Sequence, residues 1–192
     1  MATDYVNEVQ KLYVAYFSRP ADPAGLTYWA NVLQTNPSGY QTMSANFSTS
    51  NEYKAVYAGM DNRAVVAEVY DNLFGRQAEA AGVNYWADLL DRNQISIDNV
   101  VTQIAAGSQN NDRVVYNGKV AVATSFTSHI DTDAEKTAYA GTAANKIAID
   151  YLASAKSLET IAMQMDPGQI DATIARIVGT PTGIDFDGIA LV

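Results

Sequence analysis

The chain has no cysteine and a single histidine, His129, among its 192 residues. Disulfides, thiolate metal sites and cysteine nucleophiles are excluded together, as is a His-rich zinc site, and a Ser-His-Asp triad would have to use His129. Basic residues are also scarce. Against 21 Asp and Glu stand 12 Lys and Arg, for a net charge of −9, and no Lys/Arg run offers a patch to nucleic acid or anionic lipid. No window approaches the ~18 apolar residues of a membrane span. The start, Met1-Ala-Thr-Asp-Tyr-Val, lacks the charged and apolar regions of a signal peptide. Strand alternation, hairpin turns, a nucleophile elbow and a phosphate loop are likewise missing. A carboxylate pair acting on glycosidic bonds depends on spatial separation and is invisible at this level. With 48% apolar and 17% charged residues, a chain of this length still buries a proper core.

What is present is a tandem repeat. Val9 to Leu33 recurs as Val66 to Leu90 at an offset of 57, with 11 of 25 aligned positions identical, among them Tyr13/Tyr70, Phe17/Phe74, Arg19/Arg76, Gly25/Gly82 and Trp29/Trp86. A unit of this size is a supersecondary module that buries its apolar face against its neighbour, which suits a scaffold or binding surface.

The spacing of Val6, Val9, Tyr13, Tyr16 and Phe17 predicts a helix after an Asp4 cap, ending near Ser18 because Arg19 precedes a proline. Asp22-Pro23 then places an N-cap and a first helical residue, and Leu26, Trp29, Val32 and Leu33 form the stripe of a second helix. A third is expected from Tyr40 to Phe47 and a further capped start at Ser50. The second unit repeats the plan with helices at about 61–74, 79–92 and 97–106, the last capped by Ser96. Its turn carries Gln77, Glu79 and Ala80 in place of Pro20, Asp22 and Pro23, so a weaker cap is expected. Beyond Asn110-Asn111-Asp112, further helices are expected at about 114–128, after Asp131-Thr132-Asp133, at 158–165 and from Asp166-Pro167 to Gly179. The expected fold is all-α, an array of about ten short helices. Residues 1–112 hold the two repeats (about 9–61 and 66–112), 113–179 a helical extension packed on them, and 180–192 a linker toward a following domain.

At Arg19 to Trp29 and Arg76 to Trp86 the sequence resembles the bacterial family known as domain of unknown function 4214. Its repeats carry a Tyr and Phe, then Arg, an acidic residue, Gly-Leu and Tyr-Trp, with a Phe and a Ser-x-Glu-Tyr stretch closing the unit. The first unit matches through Phe47 and Ser50-Asn51-Glu52-Tyr53. In the second, Ala105-Ala106-Gly107-Ser108 replaces the closing motif. Segment 114–127 is similar to the stretch C-terminal to such repeats in large proteobacterial surface proteins, including surface-layer subunits and calcium-binding repeat toxins or adhesins exported by type I secretion. The resemblance implies a secreted, cell-surface location with an export signal beyond residue 192. It also implies an N-terminal module that anchors to lipopolysaccharide with calcium supporting assembly, copies of the chain in a lattice as partners, and no catalytic residues. A protein-interaction module that ignores sugars is the alternative; a glycan-processing enzyme is a third.

Within that frame, Tyr5, Tyr40, Tyr53, Tyr57, Tyr116 and Tyr139 lie outside the apolar stripes and are candidates for carbohydrate contact, since an amphipathic ring with a hydroxyl serves a binding surface. The Tyr28-Trp29 and Tyr85-Trp86 pairs are either sugar platforms or core, and their spacing with Leu33 and Leu90 favours core. Arg19 and Arg76 either tie the turn to Asp22 and Glu79 or face outward to grip a phosphate or acidic sugar. Asp131, Asp133 and Glu135 stand at alternate positions as in a calcium loop, although Lys136 occupies the glycine place and helix capping explains the same residues. Asp185 and Asp187 are a similar candidate in the tail. Gly25 and Gly82 are expected to permit close helix approach.

Overall fold

The computed structural model describes residues 4–179, apart from the Asp98 side chain, and these form twelve α-helices with no strand among them. The first unit is α1 (Tyr5–Phe17), α2 (Pro23–Thr35), α3 (Gly39–Thr49) and α4 (Asn51–Tyr57). The second is α5 (Asn62–Phe74), α6 (Ala80–Asp91), α7 (Ile97–Gly107) and α8 (Asn110–Ser128). The extension adds α9 (Asp133–Ala138), α10 (Thr142–Ala153), α11 (Leu158–Gln164) and α12 (Pro167–Val178). The units correspond helix by helix, and the short α4 has as its counterpart the 19-residue α8. Residue 113 therefore falls inside α8, which joins the second unit directly to the extension. The expected linker at 180–192, with Asp185 and Asp187, lies outside the described residues.

Most helix starts arise from side-chain caps. Asp4 accepts from the Asn7 amide, Asp22 from Gly25, Ser50 from Tyr53 and Asp61 from Ala64. Thr132 and Ser157 form reciprocal capping boxes, and Asp166 accepts from Gln169. Glu79 makes no cap bond, in keeping with the weaker cap expected there. Ser96 makes none either, contrary to expectation, because its Oγ accepts from the Asn99 side-chain amide instead. Twelve helices rather than ten result chiefly because Gly141, at φ 122°, breaks the segment after Thr132 into α9 and α10. α1 and α5 both end on a left-handed residue at the same repeat position, Ser18 at φ 53° and Gly75 at φ 63°.

α1 is the central helix: every residue from Leu12 to Ala21 is buried. It packs on α2 and α3 within its unit and on α5, α7 and α8 outside it. One core joins both units to α8 through Val14, Tyr16, Val69, Leu73, Tyr116 and Val122, and reaches α10 at Leu152. A second core gathers Phe126, Tyr139, Ala148, Ile170 and Ile174. α8 supplies both, so the extension is stapled to the repeats along one helix. Close approach explains two glycines, as expected: a Cβ on Gly25 would collide with the Tyr13 hydroxyl, and one on Gly82 would sit 3.1 Å from that of Tyr70.

Lys119 of α8 is 1% exposed and donates to the Asn72 carbonyl at 2.7 Å, placing its ammonium at the negative C-terminal end of α5. Burial still dominates and lowers its pKa from 10.5 to about 8, with Asp71 opposing and Lys156 adding to the fall. Between pH 8 and 10 this lysine binds more protons in the unfolded chain than in the folded one, so its own contribution to stability rises with pH, while the raised tyrosines act in the opposite sense near pH 10. Denaturant titrations should show the stability of the native sequence relative to Lys119→Met increasing by about 2 kcal/mol across this interval, the tyrosines acting alike in both.

Candidate ligand-binding site

Four of the six tyrosines proposed for carbohydrate contact are core residues, and this corrects the expectation. Tyr53, Tyr57, Tyr116 and Tyr139 are all buried. Tyr53 stacks on Tyr57 with centroids 4.2 Å apart, and the Tyr57 hydroxyl accepts from the Asn72 side chain at 3.0 Å. The Tyr116 hydroxyl donates to the Lys11 carbonyl, and that of Tyr139 to Pro20 at 2.8 Å. Burial raises the pKa of Tyr57, Tyr116 and Tyr139 well above the usual phenol value. Buried tyrosine needs a partner for its hydroxyl, and each of these three finds one on a neighbouring element. Tyr5 is half-buried, and Tyr40 remains 37% exposed.

The Tyr-Trp pairs divide between the two readings. Trp29 and Trp86 pack against the core, whereas Tyr28 and Tyr85 are exposed and stand edge-on to their tryptophans at the same centroid distance, 5.0 Å.

Arg19 is buried, so it cannot grip an external anion. Its fork is bidentate to Glu52, with Nε to Oε1 at 2.5 Å and Nη2 to Oε2 at 2.8 Å, while Nη1 donates to the Pro20 carbonyl. The expected partner Asp22 instead caps α2 and accepts from the Tyr13 hydroxyl. Arg76 repeats the arrangement with Asp112, at 2.8 and 2.7 Å, and adds the expected Glu79 at 2.9 Å. Arg19 reaches 33 residues forward and Arg76 reaches 36, so a three-residue insertion hides the equivalence of Glu52 and Asp112. The closing motif of the second unit is kept only in part: Ser108 Oγ donates to the carbonyl three residues before it, Ala105, at 2.8 Å, as Ser50 does, but α8 starts after Gln109 without the side-chain cap that Ser50 gives α4.

The calcium candidate is a helix start. Glu135 Oε2 accepts from the Asp131 and Thr132 amides, Lys136 Nζ donates to the Asp131 carbonyl, and the Asp133 carboxylate points to solvent. No group of three or more metal-ligating side chains assembles among the described residues. His129 Nδ1 lies 2.7 Å from the Asp171 carboxylate.

Two of the predicted tyrosines do come together. Tyr40 of α3 and the edge of Tyr116 line a hollow of about 290 Å³ with Glu8, Lys11, Thr102, Arg113 and Asn117. Lys11 pairs with Glu8 at 2.7 Å, and Arg113 donates to the Ser108 and Ala106 carbonyls rather than to a carboxylate. Two cations against one carboxylate leave this hollow net positive on a chain of net charge −9. Burial, with Glu8 nearby, pushes the Tyr40 hydroxyl up to about 12, so it stays a hydrogen-bond donor through the physiological range.

The family model described as "Domain of unknown function (DUF4214)" matches residues 2–57 and 44–114, more than half of the chain. The chain belongs to this family. No curated protein and no solved structure matches it. Within this DUF4214 chain the two matches cover the helix-by-helix repeat, α1 to α4 and α5 to the start of α8, and the arginine fork sits at the same place in each.

The two forks differ in burial, which sets their worth. Breaking the buried one, Glu52→Ala, should cost about 3 kcal/mol because it strands a guanidinium without its partner. Asp112→Ala, beside a half-exposed arginine that keeps Glu79, should cost under about 1 kcal/mol. Urea denaturation of the two variants side by side measures this.

Proposed function

We propose that this module anchors a secreted surface-layer or related surface protein to the outer membrane by binding the polysaccharide of lipopolysaccharide, without catalysis. The observation that supports it best is the Tyr40 hollow. A partly exposed phenol, an amide at Asn117, a hydroxyl at Thr102 and an excess of one positive charge suit an acidic or phosphorylated sugar. The exposed Tyr28 and Tyr85, repeated on α2 and α6, add flat rings for pyranose C–H faces.

Calcium enters this reading as a diffuse helper. A chain of net charge −9 repels an anionic glycan at long range, and divalent cations screen that repulsion or bridge carboxylates to the glycan without a dedicated cage. The alternative of protein contacts in a lattice draws support from Leu158 and Met163 of α11, 72% and 59% exposed.

Lipopolysaccharide from the producing organism should bind the 192-residue chain, more strongly with calcium than with a chelator. Binding should be lost with material from a strain lacking O-polysaccharide. Tyr40→Ala should weaken it at least ~10-fold with unfolding unchanged, the usual consequence of truncating an anchor residue. Failure to bind in every condition contradicts the proposal.

A further inference from the structure

The two units differ at one position in a way that opens a second hollow. In the first unit the Phe47 ring fills the space between Tyr13, Phe17 and Trp29, at centroid distances of 4.9, 4.6 and 5.7 Å. At the repeat offset of 57, which also sets the fully buried Met43 against Val100 and leaves the insertion after Ile104, the counterpart of Phe47 is Ile104, and the counterparts of its three neighbours are Tyr70, Phe74 and Trp86. These four line a hollow of about 300 Å³ that is open to solvent. Tyr70 and Phe74 keep an edge-to-face contact, with centroids 5.4 Å apart, and α7 supplies no ring to pack against them as Phe47 does in the first unit; Phe74 and Ile104 are themselves buried, so the hollow opens onto the partly buried Tyr70 and Trp86. Loss of an aromatic ring from such a nest forfeits its edge-to-face contacts as well as burial, so a guest ring regains both.

The rim says what else the guest carries. Arg76 is held by Asp112 and Glu79, so the rim has two carboxylates for one cation, on a chain that is itself strongly acidic. A carboxylate or phosphate is repelled there, and a lysine or arginine beside the ring is attracted. The polarity is opposite to that of the Tyr40 hollow, so the two sites select different ligands. In the first unit the matching turn is closed: Pro20 is buried and its carbonyl is taken by Tyr139, whereas Gln77 is exposed.

We propose that the hollow of the second unit is a docking socket for one aromatic side chain of a protein partner, flanked in that partner by a lysine or arginine. The first unit supplies the internal template, with Phe47 as a permanent occupant. The repeat has thereby kept one copy for structure and left the other free to bind. This inference goes beyond the glycan reading and uses residues apart from the Tyr40 hollow.

The test uses the 192-residue chain with labelled isoleucine methyls and tryptophan indoles, titrated with N-acetyl-phenylalanyl-lysine amide and read by NMR. Shifts should saturate at Ile104 and Trp86 but not at Trp29. The alanyl-lysine probe should give none, and the phenylalanyl-glutamate probe should bind at least about threefold more weakly, as expected for a rim charge. Ile104→Phe copies the first unit and should abolish the shifts at Trp86. Gly107→Leu should do the same by a second route, since Gly107 lines the mouth and a Cβ there meets nothing within 4 Å. Absence of shifts with the phenylalanyl-lysine probe overturns the proposal, as does binding that both variants leave intact. Equal binding of the alanyl probe, or displacement by a methyl hexoside at lower concentration, also overturns it and assigns the hollow to another ligand class.

Discussion

The bidentate pair between Arg19 and Glu52 is the constraint on which the first unit depends. A guanidinium taken out of water is tolerated only with its charge matched and its donors used, and Glu52 with the Pro20 carbonyl does both. The pair ties the end of α1 to the start of α4, closing the four-helix unit across 33 residues. Around it Tyr13, Phe17 and Tyr139 place their rings within 5.1 to 5.9 Å of the guanidinium carbon, so the charge is also faced by aromatic π-systems. The same turn is held from beneath: Gln10 receives the Ala21 amide and gives its own amide to Thr127, whose hydroxyl donates to the Ala21 carbonyl. A polar network with each member satisfied fixes register as well as adding stability, and this one sets the position of α8 against α1.

The second unit uses the same parts at the surface. Its fork is half-exposed, its turn carries Gln77 in place of Pro20, and its helix α6 starts without a side-chain cap. Every one of these differences loosens the turn relative to the first copy. Duplication and subsequent divergence of this kind give a module with one rigid half that organises the core and one open half whose hollow sets Tyr70, Phe74 and Trp86 beside a polar rim. Lys119 of α8 ties that helix to the end of α5 within the open half, while the shared core around α1 joins the two halves.

Much of the local structure was legible in the sequence. Asp22-Pro23, Thr132 with Glu135, Ser157 and Asp166-Pro167 mark helix starts because capping chemistry is local, and Gly25 and Gly82 mark the places where a tyrosine hydroxyl meets a helix. The family was legible from Arg19 to Trp29 and its repeat. Long-range choices were not. Asp22 and Glu52 are equally good carboxylates for Arg19, and only the fold decides between them. Tyrosines outside a 3.6-residue stripe look exposed on paper, yet α1 is enclosed on all sides from Leu12 onward, and Tyr53, Tyr57, Tyr116 and Tyr139 are drawn inward with the elements that cover it. Conversely, Tyr28 and Tyr85 share a motif with core tryptophans, and one helical step of about 100° turns them to solvent. The open hollow depended on reading Ile104 against Phe47, a comparison that requires the repeat to be traced to the end of α7.

The central claim is that equivalent arginines are sealed in one unit and open in the other. Exchange of the guanidinium Nε–H protons with water, monitored by nitrogen-15 NMR, measures this directly, because Arg19 and Arg76 each commit that proton to a carboxylate. The account predicts that the Arg19 proton exchanges at least ~100-fold more slowly than that of Arg76, since a buried hydrogen bond exchanges only through opening events. Equal rates at the two sites would contradict it.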